Sequence, residues 1–155
     1  AEAVPHYREN LRLRREWPVG ANNLAWILAT SPDGKLRNGE EALALAGMKA
    51  SDISMFHPYD DFLIAVMLKL EQIGFCKRGE AKDFIKDGNL DRGGRLPVNT
   101  HGGQLGEAYI HGVNGIAEGV RQVRGSSVNQ VKGVEHVLVT AGTGVPTSGL
   151  ILAAA

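Results

Sequence analysis

The sequence predicts an α/β layered domain, a mixed sheet covered by helices in an α/β/α arrangement. Two observations carry this. From residue 40 onward, short apolar or β-branched runs alternate with longer runs of helical period. Gly, Pro and Asp clusters punctuate the junctions. The chain of 155 residues, 43% hydrophobic and 22% charged, is long enough for one compact domain with a real core.

Taken in order, residues 1–39 are the least regular part. Leu11, Leu13, Trp17 and Trp26 are scattered among charges, Pro18 and Gly20 interrupt any long helix, and 24–30 reads as a strand. Ser31-Pro32-Asp33-Gly34 is a turn signal. Glu40 to Met48 is an Ala/Leu-rich helix stopped near Gly47, and Ile53 to Phe56 a short strand. Pro58 breaks the chain, and Asp60 or Asp61 is placed to cap the next helix, whose Phe62, Ile64, Val66, Met67, Leu70 and Ile73 read as mostly buried. A charged helix or turn over 80–86 precedes a strand candidate at 96–98. The Gly-rich passage 100–106 leads into a helix over 108–124 with Ile110, Val113, Ala117, Val120 and Val123 or Ile116 as its apolar stripe. A strand at 134–140, a Gly/Thr/Pro turn and a closing strand at 149–152 end the chain.

Composition excludes several function classes. Lys+Arg and Asp+Glu balance at 17 each, so net charge points to neither nucleic acid nor a membrane surface. The basic group Arg8, Arg12, Arg14 and Arg15 reads first as a solvated helix face, second as a contact for phosphate or a partner. The single cysteine, Cys76, forms no internal disulfide and reads as a buried structural thiol. No run is long and apolar enough to span a bilayer, and the opening residues do not read as a signal peptide. These features fit a reducing, cytoplasmic setting.

Gly142-Thr143-Gly144 lacks the Lys-Ser/Thr of a phosphate loop and precedes a strand. The histidines, His6, His57, His101, His111 and His136, show no metal-ligand spacing. Tyr59 and Tyr109 each follow a loop at the mouth of a helix. If the strand–helix units run parallel, both loops leave the same sheet edge, where open α/β sheets bind ligands. Tyrosines at helix starts also serve as packing residues with a tethered hydroxyl.

Pro97-Val98-Asn99-Thr100-His101-Gly102-Gly103-Gln104-Leu105 resembles the strand and loop of the lipid-transfer or sterol-carrier branch of the thiolase superfamily. The resemblance covers 40–153 and implies the C-terminal half of a thiolase fold over 40–155. Residues 1–39 stand outside it, as a remnant of the thiolase loop region. Thiolase motifs fall on Tyr59-Asp60-Asp61-Phe62 for Asn-Glu-Ala-Phe, on Ala108-Tyr109-Ile110 for Gly-His-Pro, and on Thr140-Ala141-Gly142 for Cys-x-Gly. The catalytic Asn, His and Cys thus become Tyr59, Tyr109 and Thr140, and a threonine hydroxyl is too weak an acid for the proton transfers of Claisen condensation.

The tyrosine pair, 50 residues apart, resembles that of the thiolase-like aldolases of bacterial steroid side-chain degradation. That resemblance implies retro-aldol cleavage of a steroid β-hydroxyacyl-CoA to a ketosteroid and propionyl-CoA. It implies the two tyrosines as the acid–base pair, and we assign Tyr109 the base and Tyr59 the acid. His57, Asp60 and His111 would tune or bind, and the Gly142 N–H would face the thioester oxygen. It implies no cofactor beyond the coenzyme A thioester substrate and no metal. It further implies an OB-fold/zinc-ribbon acyl-CoA-associated partner and a homodimer formed through the thiolase N-terminal half. Other carbon–carbon chemistry on acyl-CoA, acyl-CoA or lipid binding without turnover, and a purely structural subunit are the competing readings.

Overall fold

The computed structural model describes residues 2–14, 16–31, 33, 35–108, 110–142 and 148–154. Tyr109 and Thr143–Thr147 lie outside them. Three strands form the sheet: β1 (Met55–Pro58), β2 (His136–Ala141) and β3 (Ser148–Ala153), in the order β1-β2-β3. β1 and β2 run parallel, with Met55 opposite Val137 and Pro58 opposite Thr140, while β2 and β3 are antiparallel. Residues 96–98, expected as a strand, contribute a single parallel bridge, Val98 to Phe56. Two backbone bonds flank it, Phe56 N–H to the Pro97 carbonyl (3.0 Å) and Asn99 N–H to the Phe56 carbonyl (3.2 Å). The loops leaving β1 and Val98 therefore emerge on one edge.

Period-2 alternation splits the core between the two faces. Phe56 and Leu138 pack with Leu70 and Ile73 of α4 (Leu63–Ile73). Met55, Val137 and Val139 face the other way, with Val123 of α7 (Val113–Val123) against them. Helices on both faces give the expected α/β/α layering, completed by α3 (Gly39–Leu45) and the short α5 (Ala81–Phe84) and α6 (Gly103–Gly106). Cys76 is half-buried against the α4-side core, and burial raises its thiol pKa.

Four expectations are corrected. Residues 24–30 belong to a helix, α2 (Pro18–Thr30), not a strand. Pro18 sits in its first turn, where a missing N–H costs nothing, so it starts the helix instead of breaking it. Leu24 and Leu28, four residues apart and each 1% exposed, then pack with Val4 of α1 (Ala3–Leu13) in a satellite core. Arg8 and Arg12 of α1 are surface residues paired with Glu41 and Glu9.

Second, neither Asp60 nor Asp61 caps α4 through its side chain; the N-cap is Phe62, and the Asp60 carboxylate crosses to another loop. Third, Phe62 and Ile64 are 60% and 61% exposed, because only Ala65, Val66, Lys69, Leu70 and Ile73 of α4 turn inward. Fourth, the helix expected over 108–124 begins at Val113, after Gly112 at φ 86°, and it is turned over. It buries Asn114, Gly115, Glu118, Gly119 and Gln122 while Val113 and Ile116 stay exposed. Glycine makes this approach possible: a Cβ on Gly119 would lie 2.7 Å from Leu152 Cδ1, and one on Gly115 3.3 Å from His57 Cβ.

Candidate active site at the carboxyl edge of the parallel strands

The residue after β1 is Tyr59. Its N–H donates to the Thr140 carbonyl at 2.8 Å, which ties it to the end of β2. Its carbonyl accepts from Lys69 Nζ of α4 at 2.6 Å. Its ring lies against Gly112, where a Cβ would come within 3.2 Å of Cδ2, and Gly112 has a positive φ. Any side chain there would press on the ring and strain the backbone together.

Asp60 reaches from the same corner to the Gly-rich loop. Its Oδ1 accepts from Gln104 N–H at 2.9 Å, and Gly103, at φ 77°, leaves room for the carboxylate: a Cβ there would sit 2.1 Å from Oδ2. Gln104 Oε1 in turn accepts from Gly112 N–H at 3.2 Å. Asp60, Gln104, Gly112 and Tyr59 thus close a ring of contacts joining the β1–α4 corner to the 103–112 segment. Asn114 anchors that segment on both sides of position 109, donating to the Ala108 carbonyl and accepting from Ile110 N–H.

His57 lies beneath this edge, not on it. It is 1% exposed, its Nδ1–H donates to Asn99 Oδ1 at 3.4 Å, and its ring stands edge-on to His101 with centroids 5.4 Å apart. Burial, and then the neighbouring His101, lower its pKa to about 4, so it is neutral near pH 7. Asn99 also donates to the Pro58 carbonyl, which locks the β1 end to the loop. His111 is exposed, at φ 49°, next to Gly112. Gly142 follows β2 at φ 104°, on the edge that carries Tyr59. Thr140 falls in register with Leu138 on the α4 face, where both line a cavity of about 470 Å³ with Gln72 and Trp26. Tyr109 lies outside the described residues. Among the described residues no group of three His, Cys, Asp or Glu side chains is placed to hold a metal ion, and no helix is long and apolar enough to cross a membrane.

Four supporting residues escaped the sequence reading: Lys69, Gln104, Asn114 and Glu118. The signal for two of them was present. Asn114, Glu118 and Gln122 recur every four residues, interleaved with Gly115 and Gly119, the spacing of a polar stripe pressed against a sheet.

The His57 environment predicts acid sensitivity. Its folded-state pKa of about 4 lies below the ordinary 6.5, so between these values the unfolded chain binds the proton and the folded chain does not. Stability is complete above pH 6.5 and falls toward pH 4, by about 3 kcal/mol for this one group. Urea unfolding across that range should show His57→Gln losing correspondingly less than the parent; parallel curves would contradict the assignment.

Comparison with known proteins agrees with the geometry. Residues 29–153 match the family described as thiolase C-terminal domain-like. The 17-hydroxy-3-oxo-4-pregnene-20-carboxyl-CoA lyase of Mycobacterium tuberculosis is 66% identical over 114 residues, 74% of this chain and 30% of the relative. The steroid side-chain-cleaving aldolase of Thermomonospora curvata is 67% identical over 116 residues, 75% of this chain and 30% of the relative. A solved Ltp2-ChsH2(DUF35) aldolase superposes with a TM-score of 0.71 at 60% identity, covering 80% of this chain and 34% of that one. The chain therefore spans about a third of the length of the proteins it matches.

Proposed function

Because the chain belongs to the thiolase C-terminal domain-like family, with tyrosines at two positions where thiolases keep Asn and His, we propose that it forms the acid–base half of a retro-aldolase. The substrate is a steroid β-hydroxyacyl-CoA and the products are a ketosteroid and propionyl-CoA. The observation that carries this reading is the position of Tyr59 at the carboxyl edge of the parallel strands, tied to Thr140 and packed on Gly112 of the loop that contains Tyr109.

The chemistry balances with two phenols. Tyr109, as phenolate, takes the β-hydroxyl proton. The Cα–Cβ bond breaks, the hydroxyl carbon becomes the ketone, and the bond pair moves into the thioester as an enolate. Tyr59 then protonates the α-carbon. One phenolate and one phenol remain with roles exchanged, and a proton returned through solvent or between the rings resets the pair. A phenol of ordinary pKa ~10 does this work when its pKa is drawn toward neutrality or its proton is relayed, and proton transfer by a positioned group contributes roughly 10²–10⁴-fold. The Gly142 N–H is assigned to the thioester oxygen, where charge develops. His57, enclosed beneath the edge, supports the β1 end, while Asp60 orders the loop and His111 stands exposed beside Gly112. The reaction as proposed uses no cofactor besides the coenzyme A of its substrate.

Phe62, Leu63, Ile64, Leu105, Val113 and Ile116 leave apolar surface beside this edge. We assign it to contact with the remainder of a thiolase fold, through whose N-terminal half a homodimer would form, and an acyl-CoA-associated partner of OB-fold and zinc-ribbon type is proposed beside it. The test is product analysis. The chain, alone and in place of the matching third of the T. curvata aldolase, is incubated with a steroid β-hydroxyacyl-CoA. Release of propionyl-CoA and a ketosteroid without added free coenzyme A is expected from the assembled form. Cleavage that requires free coenzyme A would replace the reading with thiolysis, and tight binding without products would replace it with a carrier.

A further inference from the structure

Lys69 is the outlier of α4. It lies in the apolar run Leu63 to Ile73, is 0% exposed, and carries an ionisable group into the interior. Lysines are almost never fully buried without a partner, since the ammonium loses its hydration. Here burial lowers the pKa to about 8, against the opposing pull of Asp61 and Asp60. A methionine or leucine would fill the same space at no such cost. Besides the pull of these carboxylates, the amine donates to the Tyr59 carbonyl, 2.6 Å from Nζ.

That contact complements the bond on the other side of the residue. The Tyr59 N–H is held by β2 through Thr140, and its carbonyl by α4 through Lys69. Tyr59 stands where β1 has ended and α4 has not begun, so neither element's own ladder fixes its carbonyl. We propose that Lys69 is the positioning residue of Tyr59, clamping its backbone so that the phenol projects from the strand edge at a fixed angle. The clamp is a feature of the fold; its bearing on catalysis rests on the retro-aldolase reading.

The experiment reads both levels. Hydrogen exchange is followed in the 155-residue chain as it stands, for the parent, Lys69→Met and Lys69→Arg. The expected result is a loss of protection of about tenfold or more at the Tyr59 amide in Lys69→Met, with the amides of Val137 to Val139 unchanged, and recovery in Lys69→Arg, whose guanidinium again donates. No change at Tyr59, or a uniform loss over the whole sheet, overturns the proposal, because the lysine is then inert or a general packing residue. In the assembled enzyme, Lys69→Met is expected to lower kcat at least tenfold with KM within threefold, and to add nothing to Tyr59→Phe. Full activity of Tyr59→Phe would remove the catalytic reading and leave the exchange result standing. Full activity of Lys69→Met beside an inactive Tyr59→Phe would remove the positioning role alone.

Discussion

Replacement of Glu118 by alanine is expected to destabilise the chain by about 2–4 kcal/mol, because three hydrogen-bond donors lose the acceptor they share. Glu118 is 2% exposed in the buried stripe of α7. Its Oε1 accepts from Thr100 Oγ1 at 2.7 Å, Ser127 Oγ at 2.6 Å and Gln122 Nε2 at 2.9 Å, and its Oε2 lies 3.5 Å from Arg121. Burial works to raise its pKa, yet the hydrogen bonds from Ser127, Gln122 and Thr100 together hold it below the ordinary carboxylate value. Alanine leaves the buried Gln122 amide and the half-buried Thr100 and Ser127 hydroxyls without this acceptor, and an unmade bond at a buried donor costs about 1–3 kcal/mol. Glu118→Gln retains an acceptor and should cost far less. Urea unfolding of both variants checks this, and equal, small losses would show that the carboxylate is not the hub.

The effect reaches the candidate site through Thr100. Its hydroxyl is fixed by Glu118 and its carbonyl by Asn129 Nδ2 at 2.8 Å. Thr100 lies between Asn99, which holds His57 and Pro58, and His101, which stacks edge-on against His57. The polar face of α7 is therefore the footing of the loop that leads to Gly103 and Gln104.

The stripe also explains where the sequence was misread. Periodicity assigns the apolar positions of a helix to the core, a sound rule for a helix with one buried face. Helix α7 leaves Val113 and Ile116 open, and its sheet side is built mainly from glycines, amides and the Glu118 carboxylate, with Val123 at its end. Period alone cannot say which side of such a helix meets the sheet, and it places Val113 and Ile116 inside. The same holds for Phe62 and Ile64 at the start of α4. For α2, a proline such as Pro18 reads as a breaker in isolation, yet its position relative to the helix start decides its effect. The β-branched run of β2, the short β1 and the Gly-rich loop were legible because strand alternation and turn chemistry are local. Of the candidate site, Tyr59 and Asp60 were legible from motif order. Lys69 and Gln104 were not, since their roles come from contacts across 10 and 44 residues that no local pattern encodes.

The second large effect concerns the phenols. Phenylalanine at position 59 keeps the ring against Gly112 and leaves both backbone tethers intact while it removes the hydroxyl. The expected consequence is a fall in the cleavage rate of about 10²–10⁴-fold with substrate affinity little changed, the signature of a group that acts in the transition state. The same applies to Tyr109→Phe, and if the two groups serve the one proton circuit proposed, the double variant should fall little below the worse single one.

Single-turnover cleavage of a steroid β-hydroxyacyl-CoA by the assembled enzyme bearing Tyr59→Phe or Tyr109→Phe measures this most directly. Each variant is predicted to bind the thioester normally and to release propionyl-CoA at least a hundredfold more slowly. Release at the parent rate by either one would show that its hydroxyl carries no proton in the reaction.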